Sequence, residues 1–136
     1  GAGLPGVPLA IANPAVQYTL LDSNGKKSRF LFEVKRALML SNVEIETVRV
    51  ESWQPTRRFD SVVTRAFADL ATTLARVDHV LSDQGMVYAM KTEQAQHEID
   101  ALPDATRQVT AQNINVPGRD WPFQLLAVQP RVEAAL

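Results

Sequence analysis

The chain has 136 residues, 46% of them hydrophobic and 21% charged, which bounds it to one globular domain with room for a sizeable core. Its formal net charge of −1 excludes a uniformly basic nucleic-acid binder, yet residues 1–58 hold 8 Lys/Arg against 5 Asp/Glu and residues 59–136 hold 6 against 10. A mildly basic front half can face a phosphate-bearing partner, and ordinary surface variation explains the same split. The absence of cysteine excludes disulfides, thiolate zinc sites, iron–sulfur clusters and cysteine nucleophiles, and no apolar run approaches the roughly 18 residues that cross a membrane.

The chain opens on a glycine-rich turn, Gly1-Ala2-Gly3-Leu4-Pro5-Gly6, of the kind that follows a buried strand and starts a helix. No strand precedes it in this sequence. Pro5 to Ala12 is a short helix, ended by Asn13-Pro14. Val16 to Leu21 is a strand rich in β-formers, and Asp22-Ser23-Asn24 is a cluster of capping residues. A helix from about Gly25 to Leu40 places Phe30, Leu31, Val34, Ala37 and Leu38 on one face, with Lys26, Lys27, Arg29, Lys35 and Arg36 mostly elsewhere. Asn42 to Val48 alternates as a strand does, Glu51 to Arg58 is a loop around Pro55, and Phe59 to Thr64 is the next strand. Leu70, Leu74, Val77 and Leu81 mark a helix face. Asp83-Gln84-Gly85 turns into a strand, Met86 to Met90. A weak helix from Glu93 to Leu102, a strand from Arg107 to Val116, a turn at Pro117-Gly118 and a strand from Phe123 to Val128 complete the order, with a frayed tail to Leu136. Strand–helix alternation implies a parallel, doubly wound α/β sheet, and the last two strands form an antiparallel hairpin at one edge.

Gly1, Gly3 and Gly6 match G-x-G-x-x-G, a pattern that lets a backbone approach a nucleotide-like cofactor but also occurs as a plain tight turn. Asp22 follows a strand by one residue, 19 positions after Gly3. An acid there accepts hydrogen bonds from ribose hydroxyls; helix capping is its other reading. Glu51 sits past the following strand, near the adenine end of such a site or simply on the surface. Arg65 and Lys91 end two strands at the crevice outside their carboxyl ends, where a helix-capping lysine is the alternative for Lys91. His79 and His97 lack metal-ligand spacing, and no Ser-His-Asp arrangement or catalytic dyad is present.

The segments GAGLPGVPLAIANP, LLDSNGKKSRFL, RVESW, FDSVVTRAF and YAMK resemble the methyltransferase domain of the RsmG family, formerly GidB, over almost the whole chain. The resemblance implies a Rossmann-like class I S-adenosylmethionine-dependent methyltransferase fold, residues 1–136 forming a single N-terminally truncated domain. It implies methyl transfer from S-adenosylmethionine to a guanine N7 of bacterial 16S rRNA, in the cytoplasm, with 16S rRNA or the small ribosomal subunit as partner and no metal or membrane. On the family pattern, Gly1, Gly3, Leu4, Asp22, Val50, Glu51 and Arg65 face the cofactor, and Arg65 and Lys91 position the reaction. The chain departs from that pattern at Thr64, Thr92 and Trp121-Pro122-Phe123-Gln124, which stands where the family shows Gly-Glu-Arg-His. The family sheet places its first strand between VQYTLL and FDSVVT. A chain beginning at Gly1 would leave open edges there, which predicts self-association or inactivity of these residues alone.

Overall fold

Two separate hydrogen-bonded ladders organise the chain, one of two strands and one of four. The computed structural model describes residues 3–65, 68–92, 95–103, 107–120 and 123–130. They fall into two compact units, Gly1–Trp53 and Gln54–Leu136.

In the first unit, helix α1 (Gly6–Ala12) leads to strand β1 (Tyr18–Leu21), helix α2 (Gly25–Leu38) and strand β2 (Val43–Glu46). β1 and β2 run parallel, with Leu20 opposite Ile45 and Leu21 opposite Glu46. Ala10, Leu20, Leu31, Leu40 and Val43 form the core, with Val7, Tyr18 and Ile45 packed against it. α2 starts where expected, because the Asn24 side chain accepts hydrogen bonds from the backbone N–H of Lys26 and Lys27. It ends two residues early. Met39 adopts a left-handed conformation with φ of 51° and no glycine there announces the stop. The expected apolar face of α2 needs correction: Leu31 is buried, whereas Phe30 and Leu38 are 55% and 51% exposed.

Asn42 is the polar keystone of this unit. It is buried, and its Nδ2 lies 3.1 Å from the carbonyl of Ala10, 3.2 Å from that of Asn13 and 2.9 Å from that of Val16. One amide thus satisfies carbonyls at and beyond the C-terminus of α1, which the helix itself leaves without partners.

The second unit contains β3 (Phe59–Arg65), helix α3 (Leu70–Val77), β4 (Leu81–Lys91), helix α4 (Ala95–Asp100), β5 (Val109–Ile114) and β6 (Phe123–Val128). Its strand order is β3-β4-β6-β5. β3 and β4 are parallel, and the antiparallel β5–β6 hairpin joins β4 through β6. Val87 pairs with Val128 and Ala89 with Leu126, and all four are buried, the alternation of a strand that packs one face. Two expectations are corrected here. Leu81 belongs to no helix: α3 stops at Val77, a 3-10 turn spans Asp78–Val80, and Leu81 opens β4. Val80 and Leu81 are buried at the start of the next element, so the apolar spacing ran across a boundary that periodicity cannot register. Likewise Asp83-Gln84-Gly85 is no turn but an irregularity inside an 11-residue strand, where the register jumps from Phe59–Leu81 to Ser61–Met86. A Cβ on Gly85 would lie 3.0 Å from the Ser82 carbonyl oxygen and 3.1 Å from that of Phe59, so a side chain at the bulge would crowd two backbone oxygens.

Among the described residues β1 pairs with β2 alone and β3 with β4 alone.

Asp69 caps α3. Its carboxylate accepts from the Thr72 N–H at 2.8 Å and from the Thr72 hydroxyl at 2.8 Å. These two bonds hold its pKa below the ordinary 3.8. A depressed carboxylate stabilises the fold above its unfolded pKa, and that contribution is lost as pH falls through the folded value. Asp69→Ala is therefore expected to destabilise most at neutral pH. The gap from the parent, followed by urea unfolding from pH 7 to pH 3, narrows as the parent's carboxylate protonates.

Candidate active site

The glycine loop is shaped by its own packing. Gly3 is buried with φ of +80°, and its carbonyl accepts from the Val7 N–H at 2.6 Å as α1 begins. A Cβ on Gly6 would overlap Leu20 Cδ2, so glycine there lets the first turn of α1 press onto β1. Leu4, between them, is 48% exposed. Gly1 lies outside the described residues.

Asp22 leaves the carboxyl end of β1. Its N–H donates to the Glu46 carbonyl at 3.1 Å, and its Oδ1 accepts from the Asn24 N–H at 2.8 Å. The cap of α2 is Asn24, so Asp22 braces the connection rather than capping the helix itself. Beyond β2 a 3-10 turn spans Val50–Ser52, burying Val50 and exposing Glu51. One unit therefore carries the glycine loop and Asp22, with a second acid following the strand that pairs with β1. This donor and acceptor set suits a ribose-bearing ligand with a positive centre: carboxylates accept from hydroxyls, and a tight turn admits close approach.

In the second unit Arg65 pairs in register with Met90, one residue before Lys91, so the two cations end neighbouring parallel strands. Arg65 is exposed. Lys91 is half-buried: its Nζ donates to the Ala68 carbonyl at 2.5 Å and to Glu98 Oε1 at 3.1 Å. The same Glu98 oxygen accepts from the Leu70 N–H at 3.1 Å. Glu98 was not legible as a site neighbour, since nothing in its local sequence announces a partner seven residues back across a chain reversal. Phe123 and Gln124 lie in β6, Gln124 opposite Lys91, whereas Trp121 and Pro122 lie outside the described residues. His79 falls in the 3-10 turn and His97 in α4. Among the described residues no group of three His, Cys, Asp or Glu side chains is placed to hold a metal ion, and no helix is long and apolar enough to cross a membrane.

Paired parallel strands with loops and charges at their carboxyl ends, closed by an antiparallel hairpin, define a class I methyltransferase fold. Solved structures agree. A precorrin-6y C5,15-methyltransferase from Geobacter metallireducens matches with a TM-score of 0.72 at 17% identity, over 96% of this chain and 77% of that one. An rRNA methylase from Streptococcus thermophilus matches with a TM-score of 0.64 at 12% identity, over 93% and 81%. The [4+2]-cyclase SpnF matches equally well, with a TM-score of 0.73 at 14% identity over 97% and 73%, so the fold alone does not fix the reaction. Sequence is more particular. The model of the family "GidB: rRNA small subunit methyltransferase G" matches residues 1–122, and the chain belongs to that family. Ribosomal RNA small subunit methyltransferase G of Nitrosococcus oceani is 42% identical over 96% of this chain and 61% of its own length. That of Saccharophagus degradans is 45% identical over 86% and 52%. The chain thus spans roughly half to two-thirds of the curated relatives it matches.

Proposed function

We propose that the protein transfers a methyl group from S-adenosylmethionine to N7 of a guanine in 16S rRNA, in the cytoplasm, and that its two units serve one methyltransferase domain. The observation that carries this reading is Asp22 at the end of β1, beside a loop turned by a buried, positive-φ Gly3, in a chain of the rRNA small subunit methyltransferase G family. Gly3, Leu4, Asp22, Val50 and Glu51 would hold the cofactor, with Gly1 and Arg65 completing the set on the family pattern. The cofactor, when bound, supplies an electrophilic sulfonium methyl. Guanine N7 is a lone pair at neutral pH, so no base is needed to remove a proton before displacement. The chain's own work is positioning and electrostatics. Asp22 fixes the ribose, while Arg65 and Lys91 orient the RNA side.

Two experiments test this. Methyl transfer from labelled S-adenosylmethionine to unmethylated small-subunit rRNA, run with this chain and with an N-terminally extended one, should succeed at least for the longer chain. A nicotinamide oxidoreductase is the rival that a glycine loop and an acid alone would allow. Calorimetry with S-adenosylhomocysteine and with NADH separates them, and NADH binding alone would overturn the methyltransferase reading. Asp22→Ala is expected to weaken S-adenosylhomocysteine binding by about 10- to 100-fold, the loss of a hydrogen bond to a charged acceptor at ~1.5–3 kcal/mol. Unchanged affinity would remove Asp22 from the site.

A further inference from the structure

We propose that the outward stripe of α2 is an RNA-binding surface, on which Lys26, Arg29 and Arg36 meet phosphates and Phe30 stacks on a base. This rests on the rRNA reading above and adds to it a surface outside the strand-end site.

Helix α2 carries five cations, Lys26, Lys27, Arg29, Lys35 and Arg36, against one acid, Glu33. Leu31 and Ser28 are buried and mark its inner face. On the opposite side Lys26, Arg29, Phe30, Glu33 and Arg36 share a face, Lys26 lying three and four residues before Arg29 and Phe30 and the rest at three-residue steps, and all are exposed. From Lys26 to Arg36 the stripe rises about 15 Å. Glu33 is engaged by Arg36 in a solvent-exposed ion pair at 2.7 Å. The first turn has no acid and holds Lys26 and Lys27 instead. Positive side chains there oppose the helix dipole, so their placement does not serve the stability of α2.

The apolar residues point the same way. Phe30 is 55% exposed and Phe32 52% exposed. Phe30 stands one turn from Lys26 and Glu33 at the border of the cationic stripe, where Val34 and Leu38 continue from it at four-residue steps. A second protein chain docking there would have to desolvate Lys26, Arg29 and Arg36 together. A single-stranded polyanion instead neutralises them and releases counterions, while its bases offer flat faces to a phenyl ring. Cations with an interleaved aromatic are the combination that single-stranded nucleic acid requires.

The test uses the intact protein and in vitro-transcribed small-subunit rRNA, with binding measured across a salt series. Neutralising Lys26→Gln, Arg29→Gln and Arg36→Gln together should reduce the slope of log affinity against log salt by about 2, as three phosphate contacts to a single strand would. Phe30→Leu should weaken binding about tenfold with the slope unchanged. S-adenosylhomocysteine affinity should stay at the parent value in both. A triple variant with the parent's slope overturns the proposal while leaving the methyltransferase reading intact, provided the parent methylates the rRNA. Phe30→Leu that changes the sedimentation coefficient but not RNA affinity also overturns it, by assigning the face to a second copy of the chain. A parent that binds S-adenosylhomocysteine but neither binds nor methylates rRNA removes the function reading and this surface with it.

Discussion

Gly3→Val is expected to lose most of the stability of the first unit and all measurable S-adenosylhomocysteine binding. Two independent physical effects coincide at this residue. Its φ of +80° lies where an L side chain is strained, at roughly 1–3 kcal/mol. Its Cβ would also sit 2.7 Å from Leu31 Cδ2 and 2.7 Å from Val7 Cγ2. Both neighbours belong to the packing of this unit, since Leu31 is a core residue and Val7 lies against the core, so relief at one moves the other. Overpacking adds about 1–3 kcal/mol. The sum, roughly 2–6 kcal/mol, is a large share of the 5–15 kcal/mol that holds an ordinary domain together. Urea unfolding reads the shift in midpoint, and calorimetry reads the ligand. Gly25→Ala is the control: no atom lies within 4 Å of the place its methyl group would occupy, and it should be neutral or slightly stabilising. Equal midpoints for Gly3→Val and the parent would show that the loop does not need a left-handed residue.

The same loop shows how much of this molecule its sequence discloses. Gly3 and Gly6 were readable as residues that permit close approach, and they do so. Yet the approach the structure displays is of the loop to its own unit, Gly3 to Leu31 and Val7 and Gly6 to Leu20. Elements whose signals are local came through well. The capping cluster before α2, the β5–β6 hairpin and the strand-end places of Asp22, Arg65 and Lys91 each follow from a few adjacent residues, though which of the cluster caps, Asn24, did not. What failed was information carried by distant partners. The exposure of Phe30 and Leu38 depends on which side of α2 meets β1 and β2, and helical spacing alone offered a wider face than the unit buries. The Lys91–Glu98 pair and the shared Leu70 N–H bond form only after α3 and α4 are in place. In sequence Lys91 reads as a crevice-facing cation or a helix cap, whereas in the structure its ammonium is engaged by Glu98 and the Ala68 carbonyl.

Asn42 was the least legible of the structural residues, and Asn42→Asp should be the most revealing substitution there. In sequence it is the first residue of an alternating strand. In the structure it precedes β2, is 5% exposed, and gives its amide to three carbonyls. Asn42→Leu keeps the branching and the number of side-chain heavy atoms but removes the donor, leaving the carbonyls of Ala10 and Val16 without it, while that of Asn13 keeps the Val16 N–H. Each buried group left unsatisfied costs about 1–3 kcal/mol. Two amide hydrogens serve the three acceptors, and part of the site hydrates on mutation, so a loss of about 2–4 kcal/mol is expected. Asn42→Asp has nearly the same shape and a worse outcome at pH 7, because a buried carboxylate then faces three carbonyl oxygens with no donor between them. That environment raises the introduced carboxyl's pKa above its unfolded value, the reverse of Asp69. The penalty is therefore absent below the unfolded pKa and grows as pH rises through it toward the folded value. Urea midpoints measured from pH 4 to pH 7 should show Asn42→Asp falling away from the parent as pH increases, with Asn42→Leu holding a constant gap. Parallel curves for the two variants would mean that the amide does not donate to these carbonyls, and that the end of α1 is held by packing alone.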